Sequence, residues 1–484
     1  MSRLKKNFLL VLLQQFFLLG LPFLTIPYVS RVLGPHGIGL YSYSFSIVTL
    51  FINIFLLGSQ LYAIREIAKV KEDKNMLSKV FSEIFLIRTI LLILALIIYW
   101  ITANLIGRGN SIFIWQSLHL VGALFDITWL FQGMENFKKV VTRNLFIKLV
   151  GFGSVFLFVK DENDLILYTL IMAFSIVLGN LALFYRLKEQ VILKISLSKI
   201  SLKRHLKQMI ILFIPSFSVM IYSVLDKTML GSLSTTSQLG FYEQASKIVL
   251  MIFSLISVSG TVMLPRNSAL ISSKNFERLF QILQEGITYT AYLVLPLTFG
   301  LIIIAKDFVL WFLGPDFSPS IAVVIIMAPI VIFKSLGIIF GSWYFVPMEK
   351  NKEYTLPIVI GAVINFVLNI ILIPKYNAIG ATVATLITEA IILGIQIWFL
   401  RKVLNIKDIF KRAILKYLLI AIFMAFVSYK ITLFYNLSGL TSIILKFIIG
   451  VCVYGGILCL IKDKPTLQLL SKIKIIKVNK KSIL

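Results

Sequence analysis

Two cysteines and three histidines are all that this chain of 484 residues contains. Cys452 and Cys459 lie seven apart in the last apolar stretch, with neither a disulfide framework nor metal spacing, and read as residues that pack in lipid or protein. His36, His119 and His205 are scattered, and none is placed to hold a metal. A phosphate loop of the form GxxxxGK followed by Ser or Thr is absent, as are HExxH and GxSxG. Catalysis and direct ATP use therefore find no support, and no cofactor is expected. Acidic side chains are scarce as well: 21 Asp and Glu stand against 48 Lys and Arg, a net charge of +27. Charged residues total 14%, where a soluble chain carries about 25%.

What the chain has instead is apolar length, with 58% hydrophobic residues. A bilayer-crossing helix needs about 20 mostly apolar residues, and such runs follow one another from end to end. The predicted fold class is an all-α polytopic membrane protein. Splitting the runs at charged or turn-rich gaps predicts fourteen spans, near 7–30, 39–64, 80–104, 111–132, 144–159, 165–185, 209–231, 241–265, 286–305, 320–346, 354–374, 379–400, 413–433 and 439–461. The opening MSRLKKNFLLVLLQQFFLLGLPFLTIPYV has the basic flank of a signal peptide. Its apolar run is too long for one and lacks a small-residue cleavage site, so it reads as a retained first span.

The basic residues fall on alternate connections. One set of loops and ends, from Arg3 through the 186–208 stretch to the 462–484 tail, holds 35 Lys and Arg. The other holds six: Arg31, Arg108, Lys160, Lys306, Lys375 and Lys430. This asymmetry places both termini in the cytoplasm. The positive charge thus describes topology, and a nucleic-acid partner is not expected. No outer loop exceeds about 15 residues, so no extracytoplasmic domain is predicted.

Two joints resemble each other. SRVLGPHGIGLY, residues 30–41, and LDKTMLGSLSTTSQLGFY, residues 225–242, both put charge and turn formers between apolar runs. At an offset of 201 residues Gly39 matches Gly240, Tyr41 matches Tyr242, Ile47 matches Ile248 and Val48 matches Val249. Six spans separate the two, an even number, which predicts parallel repeats related by an axis along the membrane normal. The expected organisation is an N-terminal six-helix lobe with its linker (1–207), a C-terminal six-helix lobe (208–405), two additional helices (406–461) and a basic cytoplasmic tail (462–484).

PYVSRVLGPHGIGLYSYSFSIV, IPSFSVMIYSVLDKTMLGSLSTTSQLGFYEQASKIV, WFLGPDFSPS and NFVLNIILIPKYNAIGATVATLITEA occur in order over roughly residues 1–400. In these stretches the chain resembles the lipid-linked oligosaccharide flippases often called Wzx, in the multidrug/oligosaccharidyl-lipid/polysaccharide (MOP) exporter superfamily. The resemblance implies two lobes around a central cavity that opens alternately to either side of a bacterial cell membrane. The implied cargo is a sugar repeat unit on undecaprenyl pyrophosphate, carried to the outer leaflet for capsule or O-antigen assembly. The implied partners are that lipid-linked oligosaccharide, membrane lipid, and the polymerase and other assembly proteins. A cation-coupled drug exporter or a peptidoglycan-precursor flippase of the same superfamily is the nearest rival. A membrane polymerase would need a long outer loop carrying catalytic residues, and none is predicted.

Such cargo needs cations for its diphosphate, since unpaired polar groups cost several kcal/mol in hydrocarbon. At 1.5 Å per helical residue, Arg88 lies roughly 13 Å into its span and Lys334 roughly 21 Å. Both become candidates for gripping the diphosphate within the membrane. Arg31, Lys227 and Lys247, nearer the outer surface, form a second candidate set at the outer gate. Asp126, Asp226 and Glu389 are the candidates for ion coupling or charge pairing, and pairing among these residues is the structural alternative. Lys148, Lys416 and Lys446 read as lipid-facing or end-anchoring. Pro22, Pro27 and Pro215 each remove a helical hydrogen bond and are candidate hinges.

Overall fold

Runs this apolar leave the backbone no water to bond with, so inside a bilayer they must close their hydrogen bonds within helices or a closed barrel. The chain uses helices. The computed structural model describes residues 3–107, 109–192, 202–401, 403, 414–435 and 437–472; of the first helix, side chains are described from Gly20 onward. Among the described residues there is no strand, and eleven helices are long and apolar enough to cross a membrane. The protein is a multi-pass membrane protein. It divides into two compact units, Met1–Glu243 and Gln244–Leu484.

The first unit begins with α1 (Arg3–Leu56), in which two helices meet at Gly34. Gly34 takes φ 63°, ψ 177°, a conformation open to glycine and poor for any residue with a Cβ. Pro35 follows and has no N–H to donate back across the break. A second break, Leu57 (φ 47°) and Gly58 (φ 67°), ends α1 and starts α2 (Ser59–Val70). The predicted second span, 39–64, therefore stops at Leu56, and its last residues belong to a separate helix. After it come α3 (Lys74–Gly107), α4 (Ser111–Leu124), the short α5 (Thr128–Gly133), α6 (Phe137–Phe158) and α7 (Leu165–Tyr185). The predicted span 165–185 coincides with α7.

Next is α8 (Leu202–Leu233), which lies on α1, α2 and α3. The first residues of α9 (Thr236–Ser272) also belong to this unit. The division between the units thus falls after Glu243, later in the chain than the repeat-based boundary at 207/208. Trp129, Phe81, Phe131 and Ile67 form one fully buried core cluster, and Tyr99, Leu92 and Leu120 belong to another.

The second unit holds the rest of α9, then α10 (Phe276–Phe312), α11 (Ser320–Met327) and α12 (Ile330–Phe340). A π-helical turn, Gly341–Phe345, closes α12. In α13 (Asn351–Leu400) two helices meet at Asn377 (φ 51°, ψ −129°). Finally α14 (Leu415–Phe434) and α15 (Gly439–Leu460) pack on α10, and α16 (Lys464–Lys472) follows. The breaks at Gly34 and Asn377 each split one long helix into two segments, and α8 spans 32 residues. With these, the eleven spanning helices account for the fourteen spans that the apolar runs predict. Cys452 and Cys459, both on α15, are exposed and free.

Candidate functional site

The two similar joints meet in the first unit. Thr236 Oγ1 and His36 Nδ1 share a hydrogen bond of 2.7 Å. A Cβ on Gly39 would overlap the Thr236 carbonyl oxygen, and a Cβ on Gly240 would overlap the Pro35 carbonyl oxygen. At the 201-residue offset Pro35 is the counterpart of Thr236, and Gly39 that of Gly240. The approach is therefore reciprocal, as at an interface on a two-fold axis. Two residues later, Ser42 Oγ donates to Glu243 Oε2 at 3.1 Å, and Glu243 is its own counterpart at that offset.

Charge is gathered beside this crossing. Lys227 on α8 pairs with Glu243 on α9, Nζ to Oε2, at 2.8 Å. The Tyr242 hydroxyl donates to Asp226 Oδ2 at 3.1 Å, and Thr228 Oγ1 donates to Ser46 Oγ at 2.9 Å. In the Lys227–Glu243 pair the carboxylate is buried, whereas the lysine side chain stays 30% exposed. Arg31 is exposed on α1, and Lys247 is half-buried on α9.

Arg88 sits deeper in the unit and is buried. Its Nη1 donates to Ser59 Oγ at 2.8 Å, and the guanidinium lies 5.7 Å from the centre of the Trp129 ring. The αL residue Gly58 starts α2 so that Ser59 faces this guanidinium. Asp126, in the turn between α4 and α5, acts on Arg88 from electrostatic range. It also shapes the support beneath it: its carboxylate accepts from Thr128 N at 3.0 Å, and its carbonyl accepts from Trp129 Nε1 at 3.1 Å.

In the second unit, Lys334 on α12 and Glu389 on α13 form an ion pair, Nζ to Oε1, at 2.6 Å. Lys334 Nζ also lies 5.8 Å from the centre of the Phe253 ring. Again the carboxylate is the covered partner, with 6% of its side chain exposed against 20% for the lysine. Two of the predicted deep charges are thus brought together. Pro22 and Pro27 lie within α1; Pro215 falls in the stretch of α8 whose side chains lie outside the described residues.

Other buried charges escaped sequence reasoning. His205 on α8 joins Tyr62 (Nδ1 to the hydroxyl, 2.6 Å) and Glu83 (Nε2 to Oε2, 2.8 Å). Burial, then the Glu66 carboxylate, raises the Tyr62 phenol above its ordinary value, so the hydroxyl stays protonated at neutral pH and His205 is held between it and the Glu83 carboxylate. Glu83 lies four residues into a predicted span, a position that by itself flags a carboxylate in need of a partner.

Lys446 is buried and bonded to Asp307 Oδ2 at 2.7 Å, where Ser442 also donates at 2.7 Å. It anchors α15 to α10. Lys416 and Tyr417, at the start of α14, are both bonded to Asp463, just past the far end of α15. Removing one partner of a buried ion pair costs about 3–5 kcal/mol. Asp307→Asn is therefore expected to lower the melting temperature of the purified protein, and Asp307→Leu with Lys446→Met should recover most of the loss. An unchanged melting curve for Asp307→Asn would show that the pair adds nothing.

The eleven long apolar helices, with buried ion pairs among them, define a multi-pass membrane protein. The chain belongs to the polysaccharide biosynthesis protein family, whose model matches residues 4–271. The model for the lipid II flippase MurJ matches residues 145–450. A protein of Escherichia coli (strain K12) named "Putative O-antigen transporter" is 24% identical over 79% of this chain and 92% of its own length. The "Probable low-salt glycan biosynthesis flippase Agl15" of Haloferax volcanii is 28% identical over 38% of this chain and 39% of its own. The fold is similar to lipid II flippase MurJ in an inward closed conformation, with a TM-score of 0.74 and 19% identity over 91% of this chain and 96% of that one. An inward-facing multidrug resistance MATE transporter of the MOP superfamily matches at TM-score 0.56 and 13% identity, covering 81% of this chain and 99% of that one.

Proposed function

We propose that this protein is a flippase. It moves undecaprenyl-pyrophosphate-linked oligosaccharide repeat units from the cytoplasmic to the outer leaflet, for capsule or O-antigen assembly, by alternating access. The observation that carries the reading is the form of the two intramembrane pairs, Lys227–Glu243 and Lys334–Glu389. In each the carboxylate is covered and the amine is left partly open. An isolated ammonium is too costly to keep at membrane depth. A paired one is tolerated there, and it can exchange its carboxylate for a cargo diphosphate.

Lys227 and Lys334 are accordingly assigned to the diphosphate, with Arg88, Arg31 and Lys247 completing the positive set. Glu243 and Glu389 hold the two lysines while cargo is absent, and Asp126, Asp226 and Glu389 serve ion coupling or charge pairing. Pro22, Pro27 and Pro215 serve as hinges. The reciprocal approach at Gly39 and Gly240 supports two repeated lobes, 1–207 and 208–405, followed by the extra helices at 406–461 and the tail at 462–484. The distribution of basic residues supports cytoplasmic termini, and the polymerase that joins repeat units is the expected partner.

A drug exporter of the same superfamily is the competing reading, and likeness to MATE transporters speaks to fold alone. Expression in a strain that lacks its repeat-unit flippase, but keeps the matching glycosyltransferases and polymerase, separates the two. Surface polysaccharide should return with the intact chain and stay near background with Lys334→Gln. A bare surface despite normal protein in the membrane, with drug efflux gained, would overturn the assignment.

A further inference from the structure

A cavity of about 570 Å³ opens where α6 and α7 converge with the turn after α5. Lys138, Lys139, Arg143 and Arg186 line it together with Asn136 and Thr142, and among the described residues no Asp or Glu does. Four cations around one opening repel one another, so the arrangement calls for an anion. Lys139 is occupied in part by the Phe131 ring, 5.3 Å away, which leaves the argument to the other three.

Arg143 is the most telling. Its Nη1 donates to Asn144 Oδ1 at 2.6 Å, while its buried Nε has no hydrogen-bond partner. Asp126 reaches it only from electrostatic range. Gly179 on α7 lets the side chain of Ile147 lie against the backbone, and a Cβ there would be 3.5 Å from Arg143 Nε. The guanidinium is thus packed between the two helices beside the opening, while Lys138 and Arg186 are exposed.

The neighbourhood says which anion fits. Ala182 and Leu183 contribute apolar lining, and Phe146 lies at the edge, 55% exposed. Leu149, one turn further along α6, is also exposed, as are Leu181 and Leu178 along α7. Cations at a helix end with an apolar strip running from them match a phosphate that carries acyl chains. Basic pockets between spanning helices bind anionic headgroups in this way. We infer that this cavity is a phosphate-binding site for the headgroup of an anionic membrane phospholipid, on the face that the basic loops mark as cytoplasmic. Its lining shares no residue with the intramembrane pairs assigned to cargo and does not depend on that assignment.

The test uses the full chain purified in detergent. Affinity is read by native mass spectrometry and by thermal shift, with phosphatidylglycerol, phosphatidylcholine or inorganic phosphate added. Phosphatidylglycerol should bind and raise the melting temperature, phosphatidylcholine should not, and inorganic phosphate should compete only weakly. Each of Lys138→Gln and Arg186→Gln, at exposed positions that leave folding intact, should weaken phosphatidylglycerol binding about fivefold. Arg143→Lys should retain more affinity than Arg143→Gln. If inorganic phosphate alone gives the whole shift, the anion site stands and its natural ligand is soluble. Undiminished binding of phosphatidylglycerol to a Lys138→Gln, Arg143→Gln, Arg186→Gln triple variant would overturn the site.

Discussion

Gly39→Val is expected to leave almost no folded, export-competent protein in the membrane, and Gly240→Val to do the same. Ordinary overpacking costs about 1–3 kcal/mol because side chains can turn aside. Here the obstacle is a backbone carbonyl, that of Thr236 for one glycine and of Pro35 for the other. A carbonyl fixed within a helix cannot rotate away, so the two segments themselves must separate. Separation also breaks the hydrogen bonds from Thr236 to His36 and from Ser42 to Glu243. A loss beyond about 3 kcal/mol is a large share of the 5–15 kcal/mol that holds a typical fold. Gly455→Ala is the control, because nothing lies within 4 Å of a Cβ there and alanine favours a helix by about 1 kcal/mol. Membrane abundance, melting temperature and surface polysaccharide are the readouts. Wild-type melting of Gly39→Val would mean that the close approach at the joint is not required.

The place of that joint was legible, and its geometry was not. Gly39 and Gly240 align in the sequence because each lies about one turn into the helix that follows its joint. That the two turns touch each other requires the fold. The spans follow a similar rule: α7 ends where its apolar run ends, since hydropathy and helix length express one constraint. The break at Leu57–Gly58 went unseen because α2 continues the apolar run of α1 for several residues. Its consequence is local but large, for it supplies the Ser59 hydroxyl to Arg88. Depth from helical rise marked Lys334 and Glu389 as charges in need of an explanation, and the structure pairs them. The pairing itself joins residues on α12 and α13, and no periodicity along one helix encodes it. His205 and Glu83 are the same problem at longer range, 122 residues apart, while Lys446 proved buried because Asp307 waits on α10.

Neutralising Lys334 or Glu389 alone should damage the protein more than neutralising both. In a 2.6 Å ion pair whose carboxylate is buried, removal of one partner strands the other, at about 3–5 kcal/mol. Lys334→Gln and Glu389→Gln should each lower the melting temperature. Lys334→Met with Glu389→Leu exchanges the pair for apolar side chains of similar length and should return stability to wild type or above it. Function is predicted to part from stability at this point. If the Lys334 amine meets the diphosphate, the double variant folds well yet exports little, because the membrane interior has lost a cation that the cargo needs. Lys334→Arg, which keeps the charge and can still reach Glu389, should retain part of the export. A stable double variant that restores surface polysaccharide to wild-type levels would reduce the pair to a structural clamp between α12 and α13. The diphosphate would then have to rely on the cations of the first unit, Lys227 foremost, whose pairing with Glu243 has the same covered-carboxylate form.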